Sequence, residues 1–343
     1  MISLLIRLAG GIAFAGAGWW LLRRELRWSA QVRRLVGSAL VVLGAIELGW
    51  TGVDAVDLLR SPASERREVD TTVLVADAAG VAALAPLVGG GLRYGERTTG
   101  VIREVAADGS VRTVAEVAVS TGGQRGLLGV AVDVTDRTFA AWTDPTGRIV
   151  VGQVAPGSTR QLWVGPPSAD LANGGHLAVL GDGRLVIGIG DLQQPESIDD
   201  PGVVNGKVIT LDPDGAVDQQ PETLSDGWHN PFAFALIADE VWLADNAPGR
   251  QPERLARADS SPLASNVVSL PPRTAPSGIA AIGSDLYVCS YLERVLLRYR
   301  VVGAGAVPAG RIEVDCRLGV AALGDGRLVV STGRDLRTFR PVR

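Results

Sequence analysis

From residue 73 onward the sequence predicts an all-β chain built from six repeated units, and three observations predict it. The first is the stretch at 172–215, ANGGHLAVLGDGRLVIGIGDLQQPESIDDPGVVNGKVITLDPDG. Two short apolar strands, HLAVL and RLVIGIG, flank the turn Gly181-Asp182-Gly183, and KVITL forms a third strand that ends in Asp212-Pro213-Asp214-Gly215. Apolar runs on either side of an Asp-Gly turn are a strong local hairpin signal. The second observation is recurrence: similar units begin at Gly100, Leu127, Phe232, Ser277 and Leu318. Their spacing, about 40 to 50 residues, is that of propeller blades. The third is that residues beyond 73 carry no long amphipathic helical pattern. Together these predict a six-bladed β-propeller, with residues 73–95 helping to close the ring. A β-sandwich is the alternative, but it leaves the recurrence without a cause.

The first 60 residues have a different character. Residues 2–22 are apolar apart from Ser3 and Arg7, and residues 35–59 are apolar apart from a few positions such as Glu47, Asp54 and Asp57. Each run meets the roughly 20 residues a membrane span requires. Between them RRELRWSAQVRR, residues 23–34, carries five arginines, and an excess of positive charge marks a cytoplasmic loop. The expectation is therefore a transmembrane helical hairpin over 1–60, with everything after it extracytoplasmic. Trp19, Trp20 and Trp28 suit the interfacial belt. A signal peptide is the rival, but MISLL has no basic n-region and a second apolar run follows. Residues 61–72 read as a polar linker, and 73–343 as the propeller.

Composition narrows the function. The chain has 343 residues and a net charge of −4, with 20% charged residues, which argues against a nucleic-acid partner. Two cysteines, Cys289 and Cys316, and two histidines, His176 and His229, do not make a zinc motif. Adjacent blades can bring the cysteines within bridging reach, and an oxidising exterior permits a disulfide. Two separate buried cysteines are the other possibility. The one lysine, Lys207, carries no functional assignment.

The motifs, in order, resemble the soluble aldose (glucose/sorbosone) dehydrogenase family, which uses pyrroloquinoline quinone and calcium. GERTTGVIREV at 95–105 is similar to the first blade, and GGQRGLLGVAVD at 122–133 is the most specific match. NGGHLAVLGDGRLVIGIGD at 173–191 and DDPGVVNGKVITLDPDG at 199–215 match the central motif. GWHNPFAFAL at 227–236, VWLADNAPGRQPERL at 241–255, APSGIA at 275–280 and GVAALGDGRLVV at 319–330 complete the series.

The resemblance implies oxidation of a sugar hydroxyl, with a histidine taking the proton as hydride passes to the quinone. That histidine precedes the Asn-Gly-Gly turn, where this chain has Ala172, which cannot accept a proton. His176 and His229 are the remaining candidates for catalysis; His229 stands where the family has arginine. Gln124 and Asn230 match cofactor-contacting positions. The backbone carbonyls of Ala247 and Pro248 match half of a calcium site, with Asp245 and Glu253 nearby. The family's arginine clamp for the quinone carboxylates falls on Cys316 and Leu318. Arg317 is one residue out of phase, which on a strand points it to the opposite face. A further lysine position falls on Leu292.

Two functions follow as expectations. One is a membrane-anchored oxidoreductase acting on a sugar or polyol with pyrroloquinoline quinone and calcium. The other is a non-catalytic propeller that binds a carbohydrate, an envelope component or a partner protein.

Overall fold

The computed structural model describes residues 66–341 except 79, 239 and 250. The expected membrane hairpin over 1–60 lies outside the described residues. Among those described, no helix is long and apolar enough to cross a membrane.

Two short strands come first, β1 (Arg66–Glu68) and β2 (Thr72–Val75). Blade one is β3 (Val81–Pro86), β4 (Leu92–Glu96), β5 (Val101–Val105) and β6 (Val111–Glu116). Blade two is β7 (Leu127–Val132), β8 (Thr138–Thr143), β9 (Arg148–Ala155) and β10 (Ser158–Pro167). Blade three, the 172–215 stretch, is β11 (Gly174–Val179), β12 (Leu185–Ile189) and β13 (Lys207–Leu211), completed by β14 (Glu222–Ser225). Blade four is β15 (Pro231–Ile237), β16 (Glu240–Asp245), β17 (Arg254–Arg257) and β18 (Val268–Ser269). Blade five is β19 (Pro276–Ile282), β20 (Asp285–Ser290), β21 (Val295–Val302) and β22 (Gly305–Glu313). Blade six is β23 (Gly319–Ala322), β24 (Leu328–Ser331) and β25 (Leu336–Phe339).

Within every blade the consecutive strands form an antiparallel meander, and the six-bladed propeller is present. The ring closes through β2, which pairs antiparallel with β25 as the outer strand of blade six (Thr72 with Thr338). Two boundaries differ from the sequence reading. The unit read from Gly100 is the outer half of blade one, which starts at Val81. Within the expected linker, Arg66–Glu68 pairs parallel with β22 as a fifth strand of blade five. Three residues are too few to show a period-two pattern, and the open edge of β22 supplies the pairing instead.

The core is divided. Six separate apolar clusters lie one in each gap between neighbouring blades. This explains why middle strands read as continuous apolar runs. On β12, Leu185, Ile187 and Ile189 fill the gap toward blade two, while Val186 fills the gap toward blade four. Both faces are buried, so each such side chain contributes about 1.5–3 kcal/mol of hydrophobic stabilisation. Inner strands approach closely where glycine permits: a Cβ on Gly129 of blade two would collide with the Gly175 carbonyl of blade three. The gap between blades five and six also holds a disulfide between Cys289 and Cys316, with Cα atoms 5.5 Å apart. Of the two readings the sequence left open, the bridge is the one present.

Candidate functional site

Each inner strand runs from the mouth of the central channel to its base. Early residues such as Ala82, Leu128, Phe232 and Ser277 line a cavity of about 240 Å³ at the mouth. Later residues of the same strands, including Leu84, Val130, Phe234 and Ile279, line a second cavity of about 270 Å³ at the base. His176 lies between the two levels. Its ring packs on Phe232 with centroids 4.8 Å apart, and the Ala82 backbone of blade one lies close to the imidazole. Some surface of the residue stays accessible, but its Nε2 is buried and has no partner. Burial holds the imidazole down at about 4, so it is neutral at pH 7.

The mouth cavity gathers several residues that the sequence singled out. Gln124 lines it and accepts a hydrogen bond from the Ala172 N–H at 2.7 Å. That bond fixes Ala172 in the left-handed region, φ 57°, at the place of the expected base. Asn230 sits behind the wall, where its Oδ1 accepts from the Gly174 N–H at 2.9 Å. Gly190 permits this approach, since a Cβ there would collide with the Ala172 carbonyl. Leu318 faces the cavity, while Arg317 lies in an outer groove and pairs with Asp315 at 3.3 Å. Residues 314–318 form a loop between β22 and β23, so Arg317 turns outward from that loop and not by strand alternation. Leu292 is half exposed outside the cavity, and its neighbour Tyr291 lines it.

His229 is placed differently. It is buried, with Nδ1 3.4 Å from Asp191 Oδ2 and its backbone N–H donating to Asp245 Oδ1 at 3.1 Å. Asp245 also accepts from the Asn230 N–H at 2.7 Å, and Arg254 lies 3.4 Å from its other oxygen. Burial pushes the Asp245 carboxyl up, opposed by these donors and by Arg254. Glu253, also raised by burial, accepts from the Ala275 N–H with both oxygens. Sequence reasoning missed three residues: Asn246 and Arg97, which line the mouth, and Asp191, which is buried and faces His229. Asp191 closes the run VIGIGD at a strand end, which is the one signal that could have drawn attention to it.

The donors do not match pyrroloquinoline quinone, a tricarboxylate anion. Among the described residues lining the cavity Arg97 is the one cation, and its Nη1 donates to the carbonyls of Gly123 and Arg125. Each missing charge-assisted contact forfeits about 1.5–3 kcal/mol. Of the two carbonyl positions matched to calcium, Ala247 is buried and Pro248 exposed, and the Asp245 and Glu253 carboxylates each accept hydrogen bonds from protein N–H groups. Among the described residues no cluster of three His, Cys, Asp or Glu side chains forms a metal site.

Comparison with known proteins places the fold. A family model described as glucose/sorbosone dehydrogenase matches residues 82–249. The PQQ-bound form of an aldose sugar dehydrogenase from Streptomyces coelicolor is 23% identical with a TM-score of 0.65, over 81% of this chain and 99% of that one. The apo form of the soluble aldose sugar dehydrogenase from Escherichia coli is 20% identical with a TM-score of 0.68, over 80% and 100%. A gluconolactonase from Xanthomonas campestris is 15% identical with a TM-score of 0.56, over 82% and 92%. At these identities the structural likeness shows the fold and not the chemistry. No curated protein matches the sequence. The chain is thus a six-bladed propeller that resembles the glucose/sorbosone dehydrogenase family, with the family model spanning blades one to three and the inner half of blade four.

Proposed function

We propose that this protein is a membrane-tethered, extracytoplasmic propeller that holds a small molecule or carbohydrate in its mouth cavity without quinone turnover. The observation that carries the reading is the cavity wall, with one cation, Arg97, fixed against the 122–126 turn. Size supports it. Small-molecule sites are typically ~300–1,000 Å³, so a cavity of about 240 Å³ suits one small ligand and not a cofactor with its substrate. Ala172 at the place of the expected base supports it again. The Cys289–Cys316 bridge agrees with an oxidising exterior, and the basic loop at 23–34 with a hairpin that puts the propeller there.

In this reading Gln124 and Asn230 shape the mouth: each side-chain carbonyl holds one backbone N–H of the 172–174 turn. The second reading is quinone-dependent oxidation of a sugar, favoured by the family model and by the PQQ-bound neighbour. Titration calorimetry of the full chain with pyrroloquinoline quinone, with and without calcium, separates the two, joined to dye reduction over an aldose panel. The proposal expects neither binding nor turnover. Micromolar, calcium-dependent binding with turnover overturns it in favour of the second reading.

A further inference from the structure

Arg97 is a cation without a counter-charge. Arg93, Arg103 and Arg125, close to it in sequence or at the same turn, each pair with a carboxylate, those of Glu104, Glu96 and Asp170. Arg97 is half-buried and lines the mouth cavity, and among the described residues no carboxylate pairs with it. It is held by backbone instead. Its Nη1 donates to the Gly123 carbonyl at 2.8 Å and to the Arg125 carbonyl at 3.1 Å. Gly126 makes room for this, since a Cβ there would run into Cγ of Arg97. Both Nη1 protons are thereby spent and the guanidinium plane is fixed. Its Nε–H and its two Nη2 protons keep no partner among the described residues. That edge is one with which arginine grips a carboxylate through two parallel bonds.

Gln124 supplies a second donor beside it. It follows Gly123 in the turn that holds Arg97, and it lines the same cavity. Its Oε1 accepts from the Ala172 N–H at 2.7 Å, which leaves the Nε2 protons to whatever occupies the cavity. Among the described lining residues there is no carboxylate, so nothing there repels an anion, and one guanidinium matches one negative charge. The wall is otherwise largely apolar, with Leu127, Leu128, Phe232 and Leu318. A half-buried cation against such a wall is costly unless an anion pairs with it.

We propose that the mouth cavity takes one small monocarboxylate with an apolar body. The carboxylate sits on the Nε–Nη2 edge of Arg97 and accepts from the Gln124 amide, and the body lies against Phe232 and the leucines. The inference rests on the binding reading above and names the ligand class for the same cavity. An aromatic acid and an alicyclic acid share this chemistry.

Saturation-transfer NMR of the full chain in detergent at pH 7 tests it with matched probes: benzoate against benzamide, and cyclohexanecarboxylate against its amide. Methyl β-D-glucoside serves as the neutral carbohydrate. At least one acid is expected to bind, roughly ten-fold more tightly than its amide, the worth of about one charge-assisted hydrogen bond. The acid that binds identifies the source. Gln124→Glu keeps the acceptor for Ala172 and sets a like charge beside the carboxylate, so it is expected to erase the preference while the amides bind as before. Arg97→Met is expected to do the same. Equal binding of acid and amide by the unaltered chain, or binding of the glucoside alone, overturns the carboxylate class and leaves the binding reading standing. A preference for the acid that survives in Gln124→Glu overturns the placement of the carboxylate. No binding of any probe overturns the ligand class. Quinone binding in the calorimetric titration instead overturns the reading beneath it. If Arg97→Met does not fold, the wild-type pairs and Gln124→Glu still decide.

Discussion

Acid should destabilise this propeller partly through His176, beside aspartates such as Asp133 and Asp285 that protein donors hold below the usual range against the pull of burial. Its imidazole is held at about 4 against an ordinary 6.5, because burial penalises the charged form. Above about pH 6.5 the ring is neutral in both folded and unfolded chains and adds no pH dependence. Below it the unfolded chain takes up a proton that the native channel refuses until about pH 4. Stability is therefore lost as pH falls through that window and levels off beneath it. A gap of about 2.5 pH units, at ~1.4 kcal/mol each, corresponds to roughly 3 kcal/mol by pH 4. Burial also raises the carboxyls of Asp245 and Glu253, whose contribution has the opposite sign and cancels when variants are compared. The assay is urea unfolding at pH 7 and pH 4 for the wild type and His176→Phe. It is followed by tryptophan fluorescence, since Trp228 and Trp242 are fully buried. The variant should match or exceed the wild type at pH 7, having lost an orphaned nitrogen, and should surpass it by roughly 3 kcal/mol more at pH 4. Parallel losses in both proteins would refute the argument.

Three other outcomes are expected. Replacing both Cys289 and Cys316 by serine opens a cross-link spanning 27 residues, and loop entropy sets the loss at about 3.5 kcal/mol, read as a lower urea midpoint. Lys207 Nζ is buried and donates to the carbonyls of Ile198, Asp200 and Asn205, so Lys207→Met should cost about 2–4 kcal/mol; amide exchange should rise first across 195–206. Ala172→His restores a side chain able to take a proton, yet quinone-dependent dye reduction should stay at background because Leu318 and the fixed Arg97 still line the mouth; turnover in this single variant would contradict the cavity argument.

The blades were legible because their signals are local. Gly181-Asp182-Gly183 and its counterparts need only neighbouring residues to turn, and strands such as Leu185–Ile189 declare burial on two faces by being apolar throughout. The Cys289–Cys316 pairing was open until the blades fixed which ends meet. The site was legible only as a set of positions. The resemblance matched Gln124 and Leu318 to cofactor-contacting positions, and both line the mouth, while Arg317 turns away from it in a loop where strand alternation does not apply. It could not show Asp245 as a buried acceptor for two backbone N–H groups and an arginine, because those partners come from separate blade-four segments. Nor could it show His176 Nε2 without a partner, since that depends on Phe232 and Ala82 meeting it across the ring.

Pairing Thr72 with Thr338 sets a schedule for biosynthesis. The strand that finishes blade six leaves the ribosome first and its partner last, 266 residues later by position. At ~5–20 residues per second, β2 waits roughly 15 to 50 s before it can pair. Throughout that interval β3 lacks its blade-six neighbour and the gap between first and last blades is wet. Closing a chain loop of that length opposes the final step by about 5 kcal/mol of entropy. Slow decoding within the last 30 codons, or a release of the nascent chain before Phe339, would leave five finished blades and an open seam, the form in which this chain is most exposed to edge-to-edge association.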